Sequence, residues 1–261
     1  VLLGEHLACV AVVARLIAQK QAQLLAGQDP TDMLAVLIQA RDPESGQGLS
    51  VNELRDEVMT LVLAGHETTA NALSWTWLEL SRHREIRRWV EEEWDTVGQD
   101  RSLGIDDVGQ LHRTRAVVAE SMRLNPPAWI ISRRLREDIS LDGYNIPKGS
   151  TLLASQYYMQ RDPRYWTDAS SFTPSRWLND DGEFDEKAPG QPRAAWFPFG
   201  FASRKCIGDR FALAEAVLAL ATLGRDWEVV ASAPRDVIPV PAVTLRPGNG
   251  IPARIRPRIG H

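Results

Sequence analysis

Phe199-Gly200-Phe201-Ala202-Ser203-Arg204-Lys205-Cys206-Ile207-Gly208 is the stretch on which the fold reading turns. It sets a cysteine on a loop of small residues just before a helical pattern at about 207–223. Helix N-termini stabilise anions, and Arg204 and Lys205 add positive charge beside the sulfur. Both effects favour a thiolate, which can serve as a nucleophile or a metal ligand. No histidine or second cysteine lies near enough in sequence to suggest a zinc site. The plain alternative is a buried free cysteine acting as a small hydrophobe.

Upstream, Ala64-Gly65-His66-Glu67-Thr68-Thr69 interrupts a long helical pattern at roughly 51–82. Glycine costs about 1 kcal/mol against alanine inside a helix. The hydroxyls of two adjacent threonines can bond back to the preceding turn. The weakening makes sense where a ligand lies against the backbone and a hydroxyl faces it; Glu67 and Thr68 then form an acid–alcohol pair able to relay protons. The competing reading is a solvent-facing glutamate, with the glycine serving close helix packing. Between these two stretches, Glu120 and Arg123 share one face of a helix at about 114–125, a spacing that by itself describes a surface ion pair.

The rest of the chain frames these sites. Val10, Ala14, Ile17 and Leu24, with Leu3 and Leu7 before them, keep helical spacing up to Gly27. Asp29-Pro30 reads as a helix start, with Met33, Leu34, Leu37 and Ile38 on one face after it. Residues 42–49 read as a loop. Ser50 and Glu53 form a capping box for the long helix, whose apolar face begins Leu54, Val58, Leu61, Val62. A further helix at about 84–97 ends at Gly98, and Pro126-Pro127 stops the one carrying Glu120. Ile130-Ile131, Ile139–Leu141 and Thr151–Leu153 read as short strands, with turns at Asp142-Gly143 and Lys148-Gly149. From Arg161 to Pro198 only short helical pieces are expected. Short proline-bearing strands close the chain. The pattern is one helix-rich α+β domain over 1–261, and its opening inside an apolar helix leads us to expect a truncated or partial chain.

Of 261 residues, 44% are hydrophobic and 25% charged, which excludes a disordered or low-complexity chain. A net charge of −4 gives no basic footprint for nucleic acid. Cys9 and Cys206 make no disulfide framework and fit a reducing, cytoplasmic setting. The longest apolar stretch is broken by Glu5, His6 and Arg15, so it is neither a membrane span nor a signal peptide. Nine tryptophans suit an apolar interior able to hold flat ligands.

The order Ala-Gly-x-Glu-Thr-Thr, Glu-x-x-Arg, Pro-x-Arg-Trp and Phe-Gly-x-x-x-Arg-x-Cys-x-Gly resembles the cytochrome P450 superfamily of heme-thiolate monooxygenases, from about Leu49 to the end. Pro126-Pro127-Ala128-Trp129 is similar to its soluble bacterial members. The resemblance implies a mainly α (α+β) fold with a long central helix, small β hairpins and a cysteine loop, without the family's N-terminal part. It implies heme b (iron protoporphyrin IX), with Cys206 as axial thiolate, Phe199 packed near the sulfur, Arg204 and Arg133 on the propionates (Arg134 competing) and Gly208 admitting the next helix. It implies that Glu67 and Thr68 deliver protons and that Ala64 and Gly65 make room for dioxygen. Glu120, Arg123 and Arg176 match a structural triad that fixes the cysteine loop.

Gln160-Arg161-Asp162-Pro163 resembles His-Arg-Asp-Pro with glutamine for histidine, and Ser175 stands for a glutamate outside the triad. Ala202 replaces a second glycine, which the backbone accommodates if φ stays negative. The implied reaction inserts one oxygen atom from O2 into an apolar molecule of fatty acid, terpenoid or carotenoid type. Electrons would come from NAD(P)H through a ferredoxin or flavodoxin docking near Lys205 and Arg210, since no flavin or nicotinamide fingerprint occurs. The alternatives are a peroxide-using heme-thiolate enzyme, a non-catalytic partial chain that needs a partner segment to hold heme and, more remotely, a zinc or cysteine-nucleophile enzyme.

Overall fold

The capping box at Ser50 forms as the sequence predicts: Ser50 N donates to Glu53 Oε2 at 2.9 Å, and Glu53 N to Ser50 Oγ at 3.3 Å. It starts α3 (Val51–Arg82), a 32-residue helix and the longest element of the computed structural model. The structure describes residues 2–28, 31–98, 101–187 and 194–258. The chain divides into two compact units, 1–66 and 67–261, and α3 contributes to both.

The first unit holds α1 (Leu2–Leu25), α2 (Met33–Gln39) and the start of α3. Val13, Ile17, Leu54, Val58 and Met59 are its buried core, with Val10, Leu34, Leu37 and Ile38 packed on them. Ala14 is exposed, and so are Met33 and Val62, because the buried stripes run one position away from them. Asp29-Pro30 and the side chains of Leu3, Glu5, His6 and Leu7 lie outside the described residues. The cap of α2 is Asp32, whose carboxylate accepts from Ala35 N at 3.0 Å while pairing with Lys20 at 2.5 Å.

The second unit packs α4 (Arg84–Thr96), α5 (His112–Leu124) and α7 (Asp209–Asp226) around Leu80, Val90, Trp94, Val117, Val118, Val217 and Leu220. Two of these helices end where local chemistry stops them. Gly98 follows α4 at φ 72°, and prolines follow α5. Four antiparallel two-stranded pairs complete the described residues: β1 (Ile131–Arg134) with β4 (Thr151–Ala154), β2 (Ile139–Leu141) with β3 (Tyr144–Ile146), β5 (Trp227–Ala231) with β8 (Ala253–Pro257), and β6 (Pro239–Pro241) with β7 (Leu245–Pro247). The sequence reading passed over β3. It follows Asp142 and Gly143, both at positive φ (49° and 82°), the two-residue hairpin turn that such a dipeptide favours. Between Arg161 and Pro198 the regular pieces are short, as expected; one is a 3-10 turn at Pro174–Trp177.

Tryptophans serve packing here. Trp75, Trp94, Trp166 and Trp177 are all at most 2% exposed. Trp94 lies against Gly224 of α7, where an added Cβ would stand 2.3 Å from its ring. Trp94 also donates to Thr114 Oγ1 at 2.8 Å, and Thr114 Oγ1 donates to Glu93 Oε2 at 2.6 Å, so the ring cannot slide away. Gly224→Ala is therefore expected to lower unfolding free energy by about 1–3 kcal/mol, the usual cost of overpacking, measured as a lower urea midpoint at unchanged slope.

Candidate heme-thiolate site

Support for the cysteine loop begins at a distance from it, on α5. Glu120 and Arg123 are fully buried, which excludes the surface-pair reading. Glu120 Oε1 accepts from Arg123 Nη2 (2.8 Å), Thr173 N (2.9 Å) and Arg176 Nε (3.2 Å). Its Oε2 accepts from Arg123 Nε (2.8 Å) and Trp177 Nε1 (2.9 Å). Arg123 gives its remaining protons to three carbonyls, Gln160 O and Ala169 O at 2.7 Å and Ser171 O at 2.9 Å. All five guanidinium N–H groups are thus engaged. Arg176 joins the pair as the sequence implies, and Ser175 beside it is exposed.

From this cluster hydrogen bonds lead to the loop. Gln160 is fully buried; its Nε2 donates to Met122 O and Arg123 O at 3.1 Å, and its Oε1 accepts from Phe197 N at 3.4 Å. Gln156 Nε2 holds Phe197 O at 3.2 Å from α6 (Gln156–Met159). Phe197 O accepts from Gly200 N, and Phe199 O accepts from Cys206 N at 2.8 Å. The glutamine that replaces the histidine of the resembled motif therefore ties the triad helix to the loop.

Cys206 is a free, exposed thiol, contrary to the buried-hydrophobe reading. Phe199 is half-buried against the core of the second unit. Gly200 turns the loop at φ 78°. Ala202 stands at φ 53°, so the negative φ expected of it is not what the loop adopts, and its methyl is carried in a left-handed turn. Among the described residues an added Cβ on Gly208 would meet one atom within 4 Å, Cys206 Sγ at 3.9 Å, so the glycine keeps clear the space beside the sulfur.

Phe201, Ile207 and Phe211 surround the cysteine in sequence and are 55%, 94% and 68% exposed. Arg204 is exposed and forms no ion pair among the described residues. Arg133 is exposed on β1 and bonds the neighbouring Ser132 O, while Arg134 follows it on the same strand. An exposed thiol with exposed apolar side chains and arginines is a donor set that suits a flat apolar macrocycle bearing carboxylates. Lys205 pairs with Asp209 at 2.5 Å; this hydrogen bond raises the lysine's pKa and lowers the aspartate's. Among the described residues no three His, Cys, Asp or Glu side chains gather as a metal cluster, so the zinc alternative has no ligand set there.

On α3, Ala64 and Gly65 are exposed, and among the described residues an added Cβ on Gly65 would have nothing within 4 Å. Glu67 is exposed and Thr68 half-buried. Glu67 Oε1 accepts from Thr244 Oγ1 at 2.6 Å, and Asn71 Nδ2 donates to the same hydroxyl at 3.1 Å. The sequence reading missed Thr244. A lone threonine 177 residues away carries no local signal.

The cytochrome P450 family model matches residues 8–250. The chain is 40% identical over 219 residues to cyclooctatin synthase of Streptomyces melanosporofaciens, covering 84% of this chain and 45% of that protein. It is 40% identical over 214 residues to pentalenene oxygenase of Streptomyces avermitilis (82% and 46%). It is 37% identical over 219 residues to cyclooctat-9-en-7-ol 5-monooxygenase of Streptomyces melanosporofaciens (84% and 45%). The chain thus spans a little under half the length of these curated relatives.

Two consequences of this geometry are measurable. Glu120→Ala or Arg123→Ala strands a buried charge and is expected to remove about 3–5 kcal/mol of stability; an unchanged denaturation midpoint would return the pair to the surface. Ala202→Gly relieves the left-handed turn and is expected to stabilise by up to about 1 kcal/mol, read as a higher melting temperature.

Proposed function

Because the chain belongs to the cytochrome P450 family, we propose that it is the heme-binding portion of a monooxygenase that inserts one oxygen atom of O2 into an apolar organic molecule. The observation that carries the reading is the exposed Cys206 thiol beside Phe201, Ile207 and Phe211, on a loop tied back to a saturated buried ion pair. Cys206 would ligate the iron of heme b, with Phe199 behind the sulfur and Arg204 and Arg133 on the two propionates. Heme, when bound, supplies the oxygen-activating chemistry, and a thiolate ligand favours O–O cleavage.

The other steps belong to side chains of this chain. Glu67 takes a proton up at its carboxylate and hands it on through the Thr68 hydroxyl. Ala64 and Gly65, small residues on α3, would make room for dioxygen. Gly208 keeps the sulfur's flank clear. Electrons come from NAD(P)H through a ferredoxin- or flavodoxin-type donor in a cytoplasmic setting; Arg210 is the more available cation for docking, since Lys205 is paired with Asp209. For substrate, a terpenoid-type skeleton is favoured, because relatives are named for oxygenating pentalenene and cyclooctat-9-en-7-ol. Among the described residues no helix is long and apolar enough to cross a membrane.

The test uses the expressed protein with any residues its gene places before Val1. Reduced under CO, it is expected to show the red-shifted Soret band of a thiolate heme; Cys206→Ser is expected to lose it and Cys9→Ser to keep it. An unchanged band in Cys206→Ser would overturn the assignment. Thr68→Ala is expected to keep heme, substrate binding and O2 consumption while product per NAD(P)H falls and peroxide rises. General acid assistance is worth about 10²–10⁴ in rate, enough for its loss to let peroxide release compete. Equal product yield in variant and parent would reduce Thr68 to a packing residue.

A further inference from the structure

The strip of α3 that carries Glu67 also carries Asn71 and Trp75, each one turn further on. Glu67 and Asn71 grip the connection between β6 and β7, and Trp75 grips the first residue of β7. Glu67 Oε1 takes the Thr244 hydroxyl at 2.6 Å, Asn71 Nδ2 donates to the same hydroxyl at 3.1 Å, and Trp75 Nε1 donates to Leu245 O at 3.0 Å. The opposite side of the connection is held too, by Trp129 Nε1 on Ala242 O at 2.9 Å and by Leu245 N on Pro127 O at 2.9 Å. Thr244 and Leu245 are 5% and 3% exposed, whereas Glu67 is exposed. The hydroxyl is thus a fixed point in the core, and the carboxylate reaches out from it.

The direction of this chain is dictated by chemistry. An amide NH2 only donates, so the hydroxyl accepts from Asn71 and turns its single proton toward Glu67. A distance of 2.6 Å is that of a charge-assisted O–H···O⁻ bond. Glutamate left alone on an exposed helix face spreads over several rotamers. With one oxygen tied at Oε1, the carboxyl pivots about that point and keeps its other oxygen on the exposed side of α3.

We propose that Thr244 is a positioning residue: oriented by Asn71, it sets the carboxyl of Glu67 for proton delivery through Thr68. Its partner is a residue of this chain, and the inference rests on the acid–alcohol reading of Glu67 and Thr68. Thr244→Val preserves shape and deletes the hydroxyl. Thr244→Ser restores it.

In the heme-loaded protein, Thr244→Val is expected to leave heme content and substrate affinity at parental values. It should raise the ratio of peroxide to product by about 3- to 100-fold, the scale of a small misplacement of a reacting group. Thr244→Ser is expected to return within about 2-fold of the parent, since it keeps the same donor. A second readout needs no turnover. In denaturation of Glu67→Ala, Thr244→Val and the double variant, the double is expected to lose less midpoint than the two singles together.

Additive midpoints, or a parental peroxide ratio in Thr244→Val beside an uncoupled Thr68→Ala, would overturn the role of Thr244 while leaving the relay standing. A parental ratio in Thr68→Ala as well would overturn both. Failure of Thr244→Ser to restore coupling would show that the valine acts through the hairpin's shape, and that too would overturn the proposal.

Discussion

The carboxylate of Glu120 is the point on which the second unit depends. It is fully buried, and five donors converge on it, from Arg123, Thr173, Arg176 and Trp177. A lone buried ion pair is commonly no better than an apolar pair of the same volume. What distinguishes this one is completeness. Arg123 places all five N–H groups, three of them on carbonyls of an irregular segment that has few other means of being fixed. Residues 160–177 lack strand or long-helix ladders, so their backbone groups must be satisfied by side chains. The guanidinium does this, and the neighbouring rings close over it: Arg123 lies 5.1 Å from the Trp166 ring, and Trp166 packs at 5.8 Å on Trp177.

Rigidity then passes outward along single residues. Gln160 touches both the α5 carbonyls and Phe197, and Phe197 opens the turn whose far end fixes Cys206 N. Glutamine can do this because its amide offers donors and an acceptor together, one end for α5 and the other for the loop. The strain at Ala202 sits inside this framework. A residue with a Cβ at φ 53° persists only where its surroundings determine the turn, and here the Phe199–Cys206 bond closes the loop around it. The Cys206 thiol is exposed, and the support of its loop is buried several residues away.

Much of this was legible in the sequence, for physical reasons that differ by element. The start of α3 was readable because a capping box is local: Ser50 and Glu53 satisfy each other's backbone within one turn. The end of α4 was readable from Gly98 and the end of α5 from two prolines. Glu120 and Arg123 were readable as a pair by spacing, but spacing cannot report burial. Arg176 came into view only through the family resemblance, which implied a triad with Pro-x-Arg-Trp. The cap of α2 is Asp32, one residue before the helix, while the start read at Asp29-Pro30 lies outside the described residues. Strand β3 was missed because three residues carry too little alternation to register, although its turn was visible.

Thr244 marks the limit of such reading. Its role depends on a hairpin being pressed against one strip of a helix, and the residues that press it are Trp75, Trp129 and Pro127, all apolar or aromatic and all ordinary core choices in sequence. The short apolar cluster of Trp75, Leu78, Ala231 and Leu245 supplies the adhesion. Hydrogen bonds to Asn71 and Glu67 then convert that adhesion into direction. An acid–alcohol motif names a chemistry, but an exposed glutamate on a helix does not by itself point anywhere. Orientation comes from a third, non-local residue whose own burial is secured by packing, which is why the motif is readable and its alignment is not.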